Sequence, residues 1–314
     1  MKKTSFSAVS LFSGCGGSDL GLAASGIETI WSNDIDKAAC ELYPRIVGRD
    51  VIHQGDIKNY RRIPKADILV GCYPCQGYSQ AGKRQPDRSI NYLYREFDRV
   101  LRQVRPKAFI VENVYGMRFS QNEGLFRNQI TRFRMAGYKV SWQVLDAKEY
   151  GLAQDRKRLI IVGIKSSKKK AFEFPASKFG ADKIAYRTLR DVIWEYRDAP
   201  EGSYNTEPFH WYYLSRNRRR GWNEQAPCIV AHWRHLGLHP DSPPLRRVCE
   251  DKWEFEFKGI ARRYSYIECA ALQGFPRPEA FDYGPVSARF RAIGNAVPPP
   301  LFEGVADALV QQIS

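Results

Sequence analysis

Short apolar runs that alternate with amphipathic segments set the tightest limit on how this chain can fold. SAVSLF (7–12), ETIWSND (28–34), DILVGCYP (67–74), AFIVENV (108–114), KVSWQVL (139–145) and RLIIVGI (158–164) are rich in β-branched and aromatic residues and bounded by turn formers. That composition predicts strands. Leu93, Phe97, Val100, Leu101 and Val104 lie between two of them at helical spacing. Strands that alternate with helices in this way form a doubly wound α/β sheet, with their chemistry at its carboxyl edge. From about 185 to 260 the pattern changes to dense Trp, Tyr, Arg, His and Pro in short irregular runs, which predicts a second, smaller module. KSSKKK, within 165–175, reads as a solvated linker. After Pro298, Leu301, Val305 and Leu309 predict a closing helix.

The length of 314 residues is enough for two units. A hydrophobic fraction of 43% argues against disorder, and the longest apolar run falls far short of a bilayer span. The net charge of +15 points to a polyanionic partner, because the basic residues cluster and phosphate contacts dominate sequence-independent nucleic-acid affinity. The start, MKKTSFSAVSLFSG, has no long apolar core or cleavage site of a signal peptide. With seven cysteines, an odd number, the expectation is reduced thiols in a cytoplasm.

SLFSGCGGSDLGL puts Gly14, Gly16 and Gly17 between the first strand and a helix, where a backbone can approach a nucleotide closely. The spacing is not the dinucleotide GxGxxG, so a nicotinamide enzyme fits the sheet but not this turn. Asp34, ending the second strand, stands where doubly wound sites place a carboxylate on ribose hydroxyls; a helix cap is the alternative. Asp56, after a possible third strand, could accept from an adenine amino group.

GCYPCQGYSQAG places Cys75 at the end of a strand. Cys72 and Cys75 form a CxxC, yet zinc needs two further ligands that no second CxxC or paired-His motif supplies, and a thioredoxin-like context is lacking. An inert buried cysteine remains possible for either thiol alone. What distinguishes Cys75 is its company: ENV with Glu112, and QDRKR with Arg156 and Arg158. Parallel strands are expected to bring thiol, carboxyl and guanidinium groups to one sheet edge. Such a set suits cytosine, whose carbon 6 accepts a thiolate once ring nitrogen 3 is protonated and the carbonyl oxygen is held by a cation.

FSGCGG (12–17), PCQ (74–76), ENV (112–114), QDRKR (154–158), ECAALQGFP (268–276) and IGNAVPPPL (293–301) together resemble the cytosine-5 DNA methyltransferase family, in family order along nearly the whole chain. The resemblance implies a Rossmann-like S-adenosylmethionine-dependent sheet formed by 1–175 and 285–314, with an irregular target recognition domain at 176–284. It implies Cys75 as nucleophile, Glu112 as the acid on nitrogen 3, and Arg156 and Arg158 as cytosine ligands. Phe12, Gly14, Gly16, Gly17, Asp34, Ile35, Asp56, Ile57, Pro74 and Asn295 are implied as contacts to S-adenosylmethionine. Gln76 would support the loop from Gly77 to about Arg95, which resembles the lid over a flipped base. Departures are Ile35 for an aromatic, Cys72 for a glycine, Ala153 for a proline, and Ile267 and Ala271 for arginines.

SRNRRRGWNEQAP (215–227) and AHWRHLGLHPDSPP (231–244) resemble the recognition region of members that read GGCC, through SRNRxRxWNE and LHPxxP; the match breaks at HWRH. Arg216, Arg218, Arg220 and Arg234 are the candidate DNA contacts, since arginine forks on guanine are the commonest specific contact; a phosphate-binding patch without sequence information is the alternative. His232, His235 and His239 have loosely metal-like spacing but no obvious acid or cysteine partner, so no metal is expected. The resemblance implies double-stranded DNA as partner, a monomer, a possible cognate restriction endonuclease, and a prokaryotic or phage-encoded cytoplasmic protein. A tRNA-methylating relative and a non-catalytic DNA-binding relative are the rival readings.

Overall fold

A computed structural model describes residues 6–74, 92–119, 122–167 and 170–314. The chain divides into two units: Met1–Asp146, Lys157–Ala176 and Val297–Ser314 form the first, Ala147–Arg156 and Ser177–Ala296 the second.

The first unit is a seven-stranded sheet. Its strands are β1 (Phe6–Leu11), β2 (Ile27–Asp34), β3 (Ile52–Gln54), β4 (Ile68–Gly71), β5 (Ala108–Val114), β6 (Tyr138–Asp146) and β7 (Lys157–Lys165), in the order β3-β2-β1-β4-β5-β7-β6. β1 to β5 run parallel, so the α/β expectation holds, and the strand order reverses at β1 and β4. β7 corrects the all-parallel expectation: it runs antiparallel to both β5 and β6. The reversal matters, because a parallel β7 would have carried Arg158, near its start, to the opposite edge. Running antiparallel, it sets Arg158 opposite Val114 at the carboxyl end of β5.

Helices α1 (Gly17–Ala24), α2 (Lys37–Val47), α3 (Tyr94–Val104) and α4 (Glu123–Met135) belong to the same unit. α3 buries Phe97, Val100, Leu101 and Val104, the stripe expected from spacing. Phe97, Phe109 and Phe133 are fully buried and meet edge to face, with ring centroids 5.0 to 5.7 Å apart. The closing helix, Pro299–Ile313, packs on α1 so closely that a Cβ at Gly21 would lie 2.7 Å from the Pro299 carbonyl oxygen. The expected linker is partly built in: Phe172 is buried, and Glu173 exchanges main-chain hydrogen bonds of 2.9 and 2.8 Å with the Gln312 side chain.

The second unit holds α5 (Leu189–Ile193), a hairpin of β8 (Leu245–Cys249) and β9 (Lys252–Phe255), α6 (Tyr266–Leu272) and α7 (Val286–Asn295); the closing helix of the first unit is α8. Sequence reading placed 285–296 with the sheet, whereas this division groups α7, and also 147–156, with the irregular unit. One buried apolar cluster here is small, Tyr213, Leu238 and Leu245. Apolar side chains such as Leu189, Ile193, Leu272, Phe281, Phe290 and Ile293 are buried as well, and a few charged ones lie among them. Glu268 is fully buried and receives Arg262 through two bonds of 2.7 and 2.8 Å, while it also caps α6 at Ser265. Among the described residues, no helix is long and apolar enough to cross a membrane.

Candidate active site

At the glycine turn the chain leaves β1 through Phe12, a bulky residue held at φ +57°, a conformation that costs energy for any side chain. Gly14 (φ +56°) and Gly16 (φ +92°) follow, and they differ in kind. A Cβ at Gly16 would strike Val47 at 2.2 Å, so that glycine serves packing; a Cβ at Gly14 would meet no atom within 4 Å. Gly14 N donates to Asp34 Oδ2 at 2.8 Å, and Asp36 N donates to Asp34 Oδ1 at 2.8 Å. Asp34 is therefore not the cap of α2. Asp36 is, accepting from Ala38 and Ala39. Burial pushes the Asp34 carboxyl above its ordinary range against the hydrogen bonds from Asp36 and Gly14 that lower it. Ile35 beside it is 67% exposed. A turn open at Gly14, an anchored carboxylate and an exposed aliphatic side chain at the carboxyl edge fit a nucleoside-bearing cofactor. Asp56 caps the following turn by accepting from Lys58 N at 3.0 Å, and Ile57 is buried in the sheet's core. Gly17 begins α1, and Asn295 is exposed at the end of α7 in the second unit.

Glu112 and Arg158 form the polar centre of the sheet's carboxyl edge. Register pairs Glu112 with Ile160 and Val114 with Arg158, which puts the two charged residues on one face as a diagonal cross-strand pair. Arg158 Nε stands 2.9 Å from Glu112 Oε1, and both side chains are largely buried. Next to Glu112, Asn113 Nδ2 donates to the Tyr73 carbonyl at 3.3 Å, tying β5 to the segment that follows β4. Buried Tyr73 is fixed at its other end by donating to Gln129 Oε1 at 2.6 Å, and it packs edge-on against Phe12. Pro74 is thus held directly before Cys75. Cys75, Gln76 and most of the expected lid from Gly77 to about Arg95 lie outside the described residues. Burial, reinforced by the charge of Glu112, pushes the Cys72 thiol well above its ordinary range.

Arg156 departs from its partner in QDRKR. It is 2% exposed, and its guanidinium donates to the carbonyls of Ile229 (2.8 Å), Gly294 (3.0 Å) and Ala296 (2.9 Å), all within the second unit. The sequence reading gave both arginines one role. In the structure Arg156 bonds these main-chain carbonyls, whereas Arg158 meets Glu112.

In the second unit, Arg219 donates to the carbonyls of Ser242 (2.8 Å) and Pro240 (2.7 Å), and Trp222 Nε1 to Asp241 (2.8 Å). These bonds join SRNRRRGWNE to LHPDSPP. Arg216 and Arg234 are exposed; Arg218 and Arg220 are half-buried. Arg218 lies over the Tyr213 ring and donates to the Tyr213 carbonyl at 3.1 Å. His239 is packed, its Nδ1 accepting from Asp241 N and its Nε2 3.2 Å from Glu268. His232 and His235 stack at 4.6 Å. Burial, then the neighbouring His232 and Arg218 charges, push His235 down to about 4, so it is neutral at physiological pH. Among the described residues, no group of His, Cys, Asp and Glu is arranged to hold a metal. Sequence reasoning missed Asn113, although ENV contains it, and it missed Glu207, which no motif marks.

The family model for C-5 cytosine-specific DNA methylases matches residues 6–311. Type II methyltransferase M.BsuRI of Bacillus subtilis is 34% identical over 96% of this chain and 78% of its own. M.NgoPII of Neisseria gonorrhoeae is 34% identical over 96% and 94%, and M.BspRI of Lysinibacillus sphaericus 32% over 99% and 82%. Among solved structures, a prophage-encoded E. coli protein described as a DNA modification methyltransferase superposes with a TM-score of 0.73 at 20% identity, covering 98% of this chain and 99% of that one. The Entamoeba histolytica methyltransferase EhMeth gives 0.69 at 16% identity over 99% and 100%. This chain belongs to the C-5 cytosine-specific DNA methylase family and is an S-adenosylmethionine-dependent DNA cytosine-5 methyltransferase.

Proposed function

We propose that Cys75 is the nucleophile, Glu112 the acid and Arg158 the pyrimidine ligand of this methyltransferase, and that the second unit reads a short GC-rich site, GGCC in its finest form. The Glu112–Arg158 pair carries the reading. It stands on the strand next to β4, whose end leads through Tyr73 and Pro74 into Cys75. Cys75 Sγ adds to carbon 6 of an extruded cytosine, and the π pair of the C5–C6 bond moves to carbon 5. Glu112 delivers a proton to ring nitrogen 3, and Arg158 holds the carbonyl oxygen on carbon 2, so charge does not build up on the pyrimidine. S-adenosylmethionine, when bound, supplies the methyl group. Loss of the carbon 5 proton, departure of sulfur as thiolate and return of the nitrogen 3 proton to Glu112 then restore the neutral ring. Gly14, Asp34 and Ile35 would hold the cofactor, with Phe12 and Pro74 framing it. Arg156 serves by anchoring the main chain of 229, 294 and 296, next to Asn295.

The GC-rich site rests on SRNRxRxWNE and LHPxxP, joined by Arg219 and Trp222, with Arg216, Arg218, Arg220 and Arg234 as the DNA-contacting set. The Type II names of the relatives support a cognate restriction endonuclease and a prokaryotic cytoplasm; the chain acts as a monomer, which sedimentation of the purified protein tests. Incubation with 5-fluorocytosine duplex should trap a covalent adduct with the native protein and none with Cys75→Ser, while the variant still binds duplex. An adduct formed by the Cys75→Ser protein overturns the assignment. Bisulfite sequencing of DNA from expressing cells gives the site, and methylation outside GC-rich sequence refutes its proposed class.

A further inference from the structure

Arg234 meets a carboxylate on the face proposed to bind DNA. Its Nε lies 2.6 Å from Glu207 Oε2 and its Nη2 donates to Glu207 Oε1 at 2.8 Å, a two-pronged pair between half-exposed side chains. Residue 207 is itself held through its main chain. Its carbonyl accepts from buried Arg263 at 2.7 Å, and its N–H donates to Asn205 Oδ1 at 2.7 Å. The pair raises Arg234 and lowers Glu207 relative to their ordinary ranges, so both stay charged.

A carboxylate on a polyanion-binding face repels phosphate and lowers affinity for any duplex. Fixed beside an arginine, it does something that affinity alone does not need. A guanidinium has two edges that can present parallel N–H bonds. Glu207 takes the Nε/Nη2 edge, which orients the other edge, Nη1 and Nη2, outward as a fork. An unpaired arginine on a flexible stem would sample phosphates and bases alike; a clamped one presents a single geometry, which suits the two acceptors of a guanine edge, while the adjacent Glu207 carboxylate repels a phosphate that approaches the same fork.

We infer that Glu207 is a specificity-determining positioning residue, which clamps Arg234 for reading a guanine edge and discourages phosphate contacts. This rests on the reading of Arg234 as a base contact. The test uses the full chain with two labelled duplexes: the site mapped by bisulfite sequencing, and the same duplex with one G·C pair outside the target cytosine replaced. Glu207→Ala should tighten binding to the altered duplex and shrink the preference for the mapped site about tenfold, the share of one two-pronged base contact. Glu207→Gln, which keeps one acceptor, should fall between. Because Arg263 and Asn205 hold residue 207 through its main chain, neither variant should lower the unfolding temperature. An unchanged preference in Glu207→Ala, or equal weakening on both duplexes, overturns the inference. Arg234→Ala separates the two layers. If it abolishes the preference while Glu207→Ala spares it, the clamp alone is wrong; if Arg234→Ala leaves the preference intact, the reading of Arg234 is wrong.

Discussion

The two units solve the problem of an interior in opposite ways. The sheet unit fills its centre with aromatic and branched side chains, Phe97, Phe109, Phe133 and the apolar runs of β1, β4, β5 and β7. Its stability derives from apolar area removed from water, about 25 cal/mol per Å². The irregular unit has few strands and helices, and beside the main-chain bonds of its turns it uses buried guanidinium groups to satisfy carbonyls: Arg156 on three, and Arg263 on those of residues 205 and 207. The difference teaches that an arginine in such a chain cannot be assigned to ligand or scaffold by motif alone. Arg156 and Arg158 share a motif two residues apart, yet one bonds main-chain carbonyls of the second unit and the other pairs with Glu112 at the carboxyl edge of the first unit's sheet.

Arg156→Met should therefore have the largest effect on stability. It strands the carbonyls of Ile229, Gly294 and Ala296, each costing about 1–3 kcal/mol when unsatisfied. Hydrogen exchange should show the loss in 177–296 first, and equal loosening of the sheet strands would break the comparison. Phe109→Ala should come next, about 3–5 kcal/mol, through the cavity left against Phe97 and Phe133. Its exchange should rise in β4, β5 and β7 instead. Arg158→Ala leaves the largely buried Glu112 carboxylate without its cation and should cost about 3 kcal/mol of stability. Its methyl transfer should fall about 10²- to 10³-fold, the usual loss for one charge-stabilising donor. Turnover that falls no further than in Phe109→Ala, at a similar loss of stability, would assign Arg158 to scaffolding with Arg156.

Much of the sheet unit was legible because burial on both faces forces near-continuous apolar strands, and α3 announced itself through Phe97, Val100, Leu101 and Val104. The direction of β7 was not, since hydropathy carries no sign of strand polarity. Glu112 and Arg158 were legible as types, and their diagonal contact only from register. The second unit hid more. Nothing in sequence marks Arg219, Arg262 and Arg263 as structural, and only packing shows them bonded to main chain or to Glu268. Glu207 carried no motif at all, because a clamp is defined by its partner.

Two buried carboxyls finish the contrast, and they should respond to pH with opposite signs. Burial would raise Glu268, but Arg262 and His239 outweigh it and hold the group below its ordinary range. Its contribution is thus present above the ordinary carboxylate range and lost as pH falls through the lowered value. Glu268→Gln should cost about 3 kcal/mol at neutral pH and flatten the acid limb of the unfolding curve. Asp19, in the sheet unit, has only neutral partners: Ser10 and Ser18 hydroxyls at 3.0 Å and the Tyr43 hydroxyl at 3.1 Å. Burial raises it despite those hydroxyls, so the folded state favours the protonated form. What it contributes is complete below the ordinary carboxylate range and fades as pH rises through the raised value. Asn keeps the shape and cannot ionise, and the surrounding hydroxyls can turn to accept from its amide. Asp19→Asn should therefore have the smallest effect, less than about 1 kcal/mol at neutral pH, and should remove the decline on raising pH. A loss above about 2 kcal/mol at pH 7 would mean that the hydroxyls stabilise the ion, and that Asp19 is ionised in the folded state.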